Sequence, residues 1–294
     1  MNMGFFIENL INALSYGAAI TLAAFSFMVP LKATNIVSFA QGDFISLSAF
    51  IGAWLITDKG WNWSIAYGAT LVIMFGAGVV FERLTHGSLR GRPVDEVIIA
   101  TLGVAFIIRG FISRWRGANP QSLESPLRGK FFTFAGAAIP YQRLVIIGVT
   151  IVVTLVLYYV FQRTAFGLQL RALATDPEVA RLHGVRTTRL AIIAFGISSF
   201  LCGLTGLLVG SLTSFDIGLG FAIMLGGFCA AIIGGWGSIA GAFVGGLVLA
   251  LIERLFGAYY FTHFREMLPL VFLFLFIAVR QRGIFRGAES YGRL

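Results

Sequence analysis

Charge is scarce in this chain. Asp, Glu, Lys and Arg make up 12% of its 294 residues, about half the roughly 25% of a soluble domain. Cysteine is scarcer still. Cys202 and Cys229 are the only two, both inside apolar stretches, which excludes a disulfide framework. The three histidines, His86, His183 and His263, sit far apart in separate loops and lack metal-ligand spacing. No Gly-x-x-x-x-Gly-Lys-Ser/Thr occurs, and the one Gly-Lys step, Gly129-Lys130, runs on into Phe131. The chain therefore has no P-loop to cradle ATP phosphates. No Ser or Cys stands in a sequence context that suggests a catalytic triad. An enzyme is disfavoured.

What the chain has instead is apolar length. Hydrophobic residues make up 57%, Phe alone contributes 29, and the mean hydropathy is +0.86. Leu10–Val29 is 20 residues without a charge, close to the length that crosses about 30 Å of hydrocarbon at 1.5 Å per residue. Similar windows fall near 36–56, 61–81, 97–113, 144–162, 190–212, 221–235, 238–256 and 267–280. The expected fold is an all-α, polytopic membrane helical bundle of about 8–9 spans, with 1–294 as one transmembrane domain. The start "MNMGFFIEN" has no basic residue and no small-residue cleavage site follows. It reads as a retained first span.

The net charge is +9. The basic residues lie in loops between apolar spans, which is how membrane proteins set topology, so nucleic acid is not an expected partner. Loops 82–96 and 163–189 and the tail "RQRGIFRGAESYGRL" are rich in Arg. Placing all three in the cytoplasm puts the N-terminus outside and the C-terminus inside. The stretch 213–266 must then cross twice or re-enter, and a break is expected near 221–256, around Trp236-Gly237-Ser238. Gly237, Gly241 and Gly245 stand at four-residue spacing, which suits close helix packing. "VVFERL" (Val79–Leu84) and "LALIERL" (Leu249–Leu255) end spans three and eight. In this topology they end on opposite sides, which suggests an inverted repeat.

Two polar stretches interrupt the apolar pattern. "TNIVSFAQGDF" (Thr34–Phe44) carries Asn35, Ser38, Gln41, Gly42 and Asp43. An Asp near the centre of an isolated helix costs about 2.5–3.5 kcal/mol on insertion scales. Asp43, read as two turns into span two, therefore faces the bundle interior or a water-filled path. It either lines a translocation path or belongs to a structural hydrogen-bond cluster. A secondary transporter using Asp43 as a proton or sodium site is the alternative function. Arg109 reads as a residue snorkelling to the outer interface.

The other stretch is "LRALATDPEVARLHGVRTTRL" (Leu170–Leu190), inside the loop 163–189. Asp176 suits an N-cap, Pro177 the first helical position, and Glu178 the positive helix end. Gly184 suits the left-handed stop. A helix of about two turns cannot hold itself in water, so packing on the bundle or on a partner must hold it. Val179 and Leu182 share one face and are the expected anchors.

Four segments together resemble the LivH-type permeases of bacterial ABC importers for branched-chain amino acids. "LINALSYGAAITLAAFSFMVPLKATNIVSFAQGDF" is similar to that family's N-terminal segment. "IIATLGVAFIIRG" resembles its fourth span. "LRALATDPEVARLHGVRTTRL" resembles its Arg-Ala…Ala…Gly segment, carried by Arg171, Ala172, Ala180 and Gly184. "AAIIGGWGSIAGAFVGGLVLALIE" resembles its glycine-rich C-terminal signature. Two places depart from the pattern. Gln41 and Asp43 replace the family's His and Glu, and Ala240 replaces its Pro.

The resemblance implies a bacterial inner-membrane permease that pairs with a second, homologous permease as a heterodimer. Two cytoplasmic ATPases and a periplasmic binding protein would complete the importer. ATP and Mg would sit on the ATPases, with no cofactor on this chain. It further implies that Asp176–Gly184 is the coupling helix. The basic outer loop, with Arg114, Arg116, Arg128, Lys130 and Arg143, is the expected docking surface for the binding protein. The resemblance implies as substrate a branched-chain amino acid or a related small polar or carboxylate solute.

Overall fold

A computed structural model describes residues 3–259 except 90, 118, 126, 128, 135, 213 and 236, together with 271 and 274. The span expected at 267–280 lies outside the described residues apart from those last two positions, as do Arg128 and the basic tail. Helices α1 (Met3–Thr34), α2 (Gln41–Ala53), α3 (Trp63–Leu84), α4 (Val94–Arg116) and α5 (Tyr141–Arg163) come first. Then follow α6 (Ala165–Thr175), α7 (Pro177–Leu182), α8 (Thr187–Gly210), α9 (Leu219–Gly234) and α10 (Ile239–Tyr259). Within the outer loop, β1 (Phe131–Phe134) pairs antiparallel with β2 (Ala137–Pro140), Phe131 opposite Pro140. This hairpin is a small β addition to a helical fold.

Five of these helices, α1, α3, α4, α5 and α8, are long and apolar enough to cross a bilayer, and the bent pair α9–α10 makes six when counted as one span. Their roles divide by burial. The apolar windows of α1 and α8 are 89% and 67% buried, against 28%, 28% and 22% for α3, α4 and α5. α1 and α8 are therefore the core. α1 packs on α5, α8, α9 and α10, and α8 packs on α2 and α3. α4 packs chiefly on α2, and its outward Ile99, Phe106 and Ile107 are exposed, as suits a lipid-facing side.

α9 and α10 meet at 119°. Gly235 (φ 109°) and Gly237 (φ 88°) supply backbone that other residues rarely adopt, so glycine makes the bend although Ala240 replaces the proline. Gly237 thus belongs to the turn and takes no part in a helix-packing motif. Gly241 and Gly245 lie in α10 against α9. A Cβ on Gly241 would stand 2.2 Å from the Gly234 carbonyl oxygen, and one on Gly245 2.4 Å from that of Ala230.

The pair turns back on itself. Val209 of α8, Leu219 of α9 and Arg254 of α10 line one cavity, so the chain returns to the end where α8 finished. That is the even or re-entrant passage the charge pattern requires. Glu82 lines a cavity beside Asn35, at the end where α1 stops, whereas Arg254 lies over the Tyr16 ring in the other half of α1. The two Glu-Arg pairs thus lie beside different cavities, Glu82 with Asn35 and Arg254 with Tyr16.

Candidate functional site

Helix α1 stops at Asn35, whose φ of 54° is left-handed, a conformation Asn tolerates better than most residues. The chain then runs non-helically to Ala40 before α2 begins at Gln41. This corrects the depth expected for Asp43. It sits in the first turn of α2, where the positive end of the helix favours an anion. It does not lie two turns inside a continuous span.

Burial there is nearly complete: Gln41 is 0%, Asp43 1% and Ser38 2% exposed. Side chains far apart in sequence satisfy the buried groups. The Gln41 side-chain amide donates to Ser198 Oγ at 3.1 Å, and Ser198 Oγ donates to the Ser26 carbonyl at 2.6 Å. The Phe39 N–H donates to Thr101 Oγ1 at 3.3 Å. Ser46 Oγ donates to the Ile217 carbonyl at 2.8 Å and accepts from the Gly220 N–H at 2.9 Å. Gly42 and Gly220 bring α2 and α9 into backbone contact; a Cβ on Gly220 would lie 1.8 Å from the Gly42 carbonyl oxygen.

Asp43 has a dedicated partner. Arg109 Nε of α4 donates to Asp43 Oδ1 at 2.5 Å, and its guanidinium also lies over the Phe106 and Phe221 rings. The snorkelling expected of Arg109 is therefore overturned, because the side chain turns inward to the carboxylate. Removing either partner would strand a charge in a low-dielectric interior. An Asp clamped by a guanidinium is a poor proton or sodium site, which removes the ground for ion coupling. Asp43 Oδ2, Gln41 Oε1 and Ser38 Oγ have no hydrogen-bond partner among the described residues. Asn35 is separate from this cluster. It is exposed and lines a cavity of about 260 Å³ at the end where α1 stops, with Lys32, Arg92 and Arg181.

α6 and α7 lie at that same end. Thr164 caps α6 by accepting from the Gly167 N–H at 3.3 Å. Asp176 Oδ1 accepts from the N–H groups of Glu178 and Val179 at 2.9 and 3.0 Å, and Pro177 occupies the first turn of α7. Gly184, with φ 80°, follows the helix end.

α7 rests on α6 through Ala180, which is 4% exposed within the α1–α8 core cluster. Val179 is 47% and Leu182 86% exposed, so the two apolar residues expected to anchor the helix point away from the bundle. Their neighbours Ala172, Asp176 and Glu178 are exposed as well. Arg171 is half-buried and donates from Nη1 to Gln162 Oε1 at 3.3 Å.

At the opposite end, the basic residues do not form one surface. Arg116 is engaged internally, in an ion pair with Asp58 and in hydrogen bonds from Nε and Nη2 to Gln121 Oε1 at 3.3 and 3.1 Å. Arg143 is half-buried and lines a cavity of about 500 Å³. Arg114 and Lys130 are exposed. Arg116 and Arg143 therefore leave the docking patch as expected from sequence.

Sequence reasoning missed Ser26, Thr101, Ser198 and the inward role of Arg109. The available signal for Arg109 was that a full charge stood inside an apolar span. Its partner is 66 residues away, so no local pattern could name it.

Residues 9–279 match the family described as branched-chain amino acid transport system, permease component. The chain is 26% identical over 293 residues to the high-affinity branched-chain amino acid transport system permease protein LivH of Escherichia coli strain K12, with 95% of each chain covered. It is equally similar, over the same length and coverage, to BraD of Pseudomonas aeruginosa, whose name gives the same transport system. The fructose import permease protein FrcC of Rhizobium meliloti is 34% identical over 241 residues, covering 75% of this chain and 65% of that one. With five membrane-length helices among its described residues and a family match over most of its length, the chain belongs to the branched-chain amino acid transport system permease family and is a multi-pass membrane permease.

Proposed function

We propose that this permease is the membrane-spanning subunit of an ATP-driven importer for branched-chain amino acids or related small polar or carboxylate solutes. Its working partners are a second homologous permease in a heterodimer, two cytoplasmic ATPase subunits and a periplasmic binding protein. The observation that carries the reading is α7. It is a capped two-turn helix at one end of the bundle that buries Ala180 and turns Val179 and Leu182 outward. Exposing Leu in water forfeits about 1.5–3 kcal/mol of burial, which a hydrophobic cleft on an ATPase would recover. On this reading the α7 end is cytoplasmic and the hairpin end periplasmic.

The packing of α7 supports a mechanism. Closure of the ATPases on ATP pushes α7, and α7 pushes α6, which leans on α1, α5 and α8. The two core helices then rock while the Asp43–Arg109 pair keeps α4 attached to α2. Arg114 and Lys130 remain as the exposed cations that steer an acidic face of the binding protein.

The test is reconstitution into proteoliposomes with the co-purified partners. Uptake of L-leucine or another solute of the bound class should require both ATP and the ATPase subunits. Uptake that persists on an ion gradient without them would overturn the proposal.

A further inference from the structure

The cavity at the hairpin end has a charge character that close packing does not explain. Its volume is about 500 Å³, within the range of small-molecule sites. Among the described lining residues two are cationic, Arg143 and Arg254, and none is acidic; Asn12, Ser15, Gln142 and Ser211 add neutral polar groups.

Arg143 sits where physics disfavours a cation, whereas Arg254 is held over an aromatic ring but leaves one donor unmet among the described residues. Arg143 is the third residue of α5, against the positive end of the helix, where a cation is destabilised. Half-buried, it faces one acidic group electrostatically, Glu8, which is not among the lining residues. Arg254 comes from α10 and lies 3.8 Å above the Tyr16 ring. Its Nε is buried with no hydrogen-bond partner among the described residues, as is Asn12 Oδ1.

Gln142 is already committed. Its amide donates to Ser211 Oγ at 2.5 Å and its oxygen accepts from Ser125 Oγ at 3.0 Å, so it braces the wall. Two guanidinium-bearing side chains and an unengaged amide oxygen are thus left facing one small space. Guanidinium forks match carboxylates, and an amide oxygen accepts from an ammonium.

We propose that this cavity is a carboxylate-recognising subsite within the permease itself. In it Arg254, assisted by Arg143, binds the carboxylate of the transported solute, and Asn12 Oδ1 accepts from the solute's ammonium when one is present. The proposal rests on the importer reading above and adds to it a charge filter within the permease, separate from any selectivity of the binding protein.

Two measurements on the assembled importer test it. The first places a single reactive thiol in the cavity as Ala222→Cys, at an exposed lining position; the native Cys202 and Cys229 are both fully buried. Labelling of this chain by an anionic methanethiosulfonate should outpace that by a cationic one by about tenfold, after correction for intrinsic reactivity. Adding Arg143→Gln and Arg254→Gln should abolish the bias, and L-leucine should slow anionic labelling more than L-leucinamide does. Absence of any bias overturns the proposal.

The second is ATP-driven L-leucine uptake. Arg254→Gln should lower it at least about tenfold, the scale for truncating one partner of a hydrogen-bonded charge pair, while Arg254→Lys keeps part of it. Parental uptake by Arg254→Gln overturns the subsite and leaves the importer intact. A parent protein without ATP-dependent uptake overturns the importer reading, and the labelling bias still decides the charge of the cavity. Where Arg254→Gln does not assemble, Arg143→Gln and the labelling bias decide.

Discussion

The two polar stretches of this chain solve opposite problems. In the first stretch, Ser38, Gln41 and Asp43 are buried and the backbone before Gln41 leaves the helix. The satisfying bonds come from α4 and α8, up to 157 residues away. Between Asp176 and Gly184, polar side chains are exposed, apolar ones are exposed with them, and the capping bonds span two or three residues. The contrast shows that polarity in an apolar sequence does not by itself locate a residue. The first stretch is held by tertiary contacts and the second by its own caps, with one buried alanine as its foothold.

That contrast can be broken or sharpened by substitution. The largest effect is expected at Asp43. Asp43→Asn strands Arg109 and should destabilise the detergent-solubilised protein by about 2 kcal/mol, below the 3–5 of a fully buried pair because Arg109 is one-third exposed. Thermal unfolding followed by size exclusion reads this, and Asp43→Asn with Arg109→Gln should recover most of the loss. If the double variant is no better than the single one, the pair is not a unit.

A smaller effect, of a different kind, is expected at Leu182. Leu182→Asp should leave thermal stability within about 0.5 kcal/mol yet reduce co-purification of the ATPase subunits by about tenfold, as truncating an interface anchor does. Equal loss of both would make α7 an internal brace. The smallest is at the cap. Asp176→Ala should cost about 1 kcal/mol, confined to α7 and visible as faster hydrogen exchange at the Glu178 and Val179 amides, with the global melting temperature unchanged.

Much of the fold was legible because the bilayer imposes a one-dimensional rule. The windows at 10–29, 61–81, 97–113, 144–162 and 190–212 fall inside α1, α3, α4, α5 and α8, apart from two residues at each of two ends. Capping chemistry is equally local, so Asp176 and Gly184 could be read directly. The rest depends on what folds back on what. The break at Asn35–Ala40 shortens the second window from 36–56 to a helix beginning at Gln41, and nothing in "NIVSFA" forbids a continued helix. The π-helical turn Trp54–Asp58 that extends α2 leaves no local mark either. The Asp43–Arg109 pair and the Gln41–Ser198–Ser26 relay are contacts across the bundle. Sequence spacing told only that Asp43 must find something. Gly237 misled because four-residue spacing counts along the chain and ignores that the helix starts two residues later, at Ile239.

The bend between α9 and α10 bears on biogenesis. α9 is 16 residues, about 24 Å at 1.5 Å per residue, too short for a bilayer core of about 30 Å. The non-helical backbone at Gly235, Gly237 and Ser238 cannot face lipid, because N–H and C=O groups without helical partners would go unsatisfied there. This hairpin therefore cannot enter the membrane as an autonomous unit. It needs a protein wall already in place, and the wall it packs against is α1 and α2, both made earlier by the ribosome. The order of elements along the chain is thus also an order of assembly, in which the early helices act as the receptor for the late hairpin.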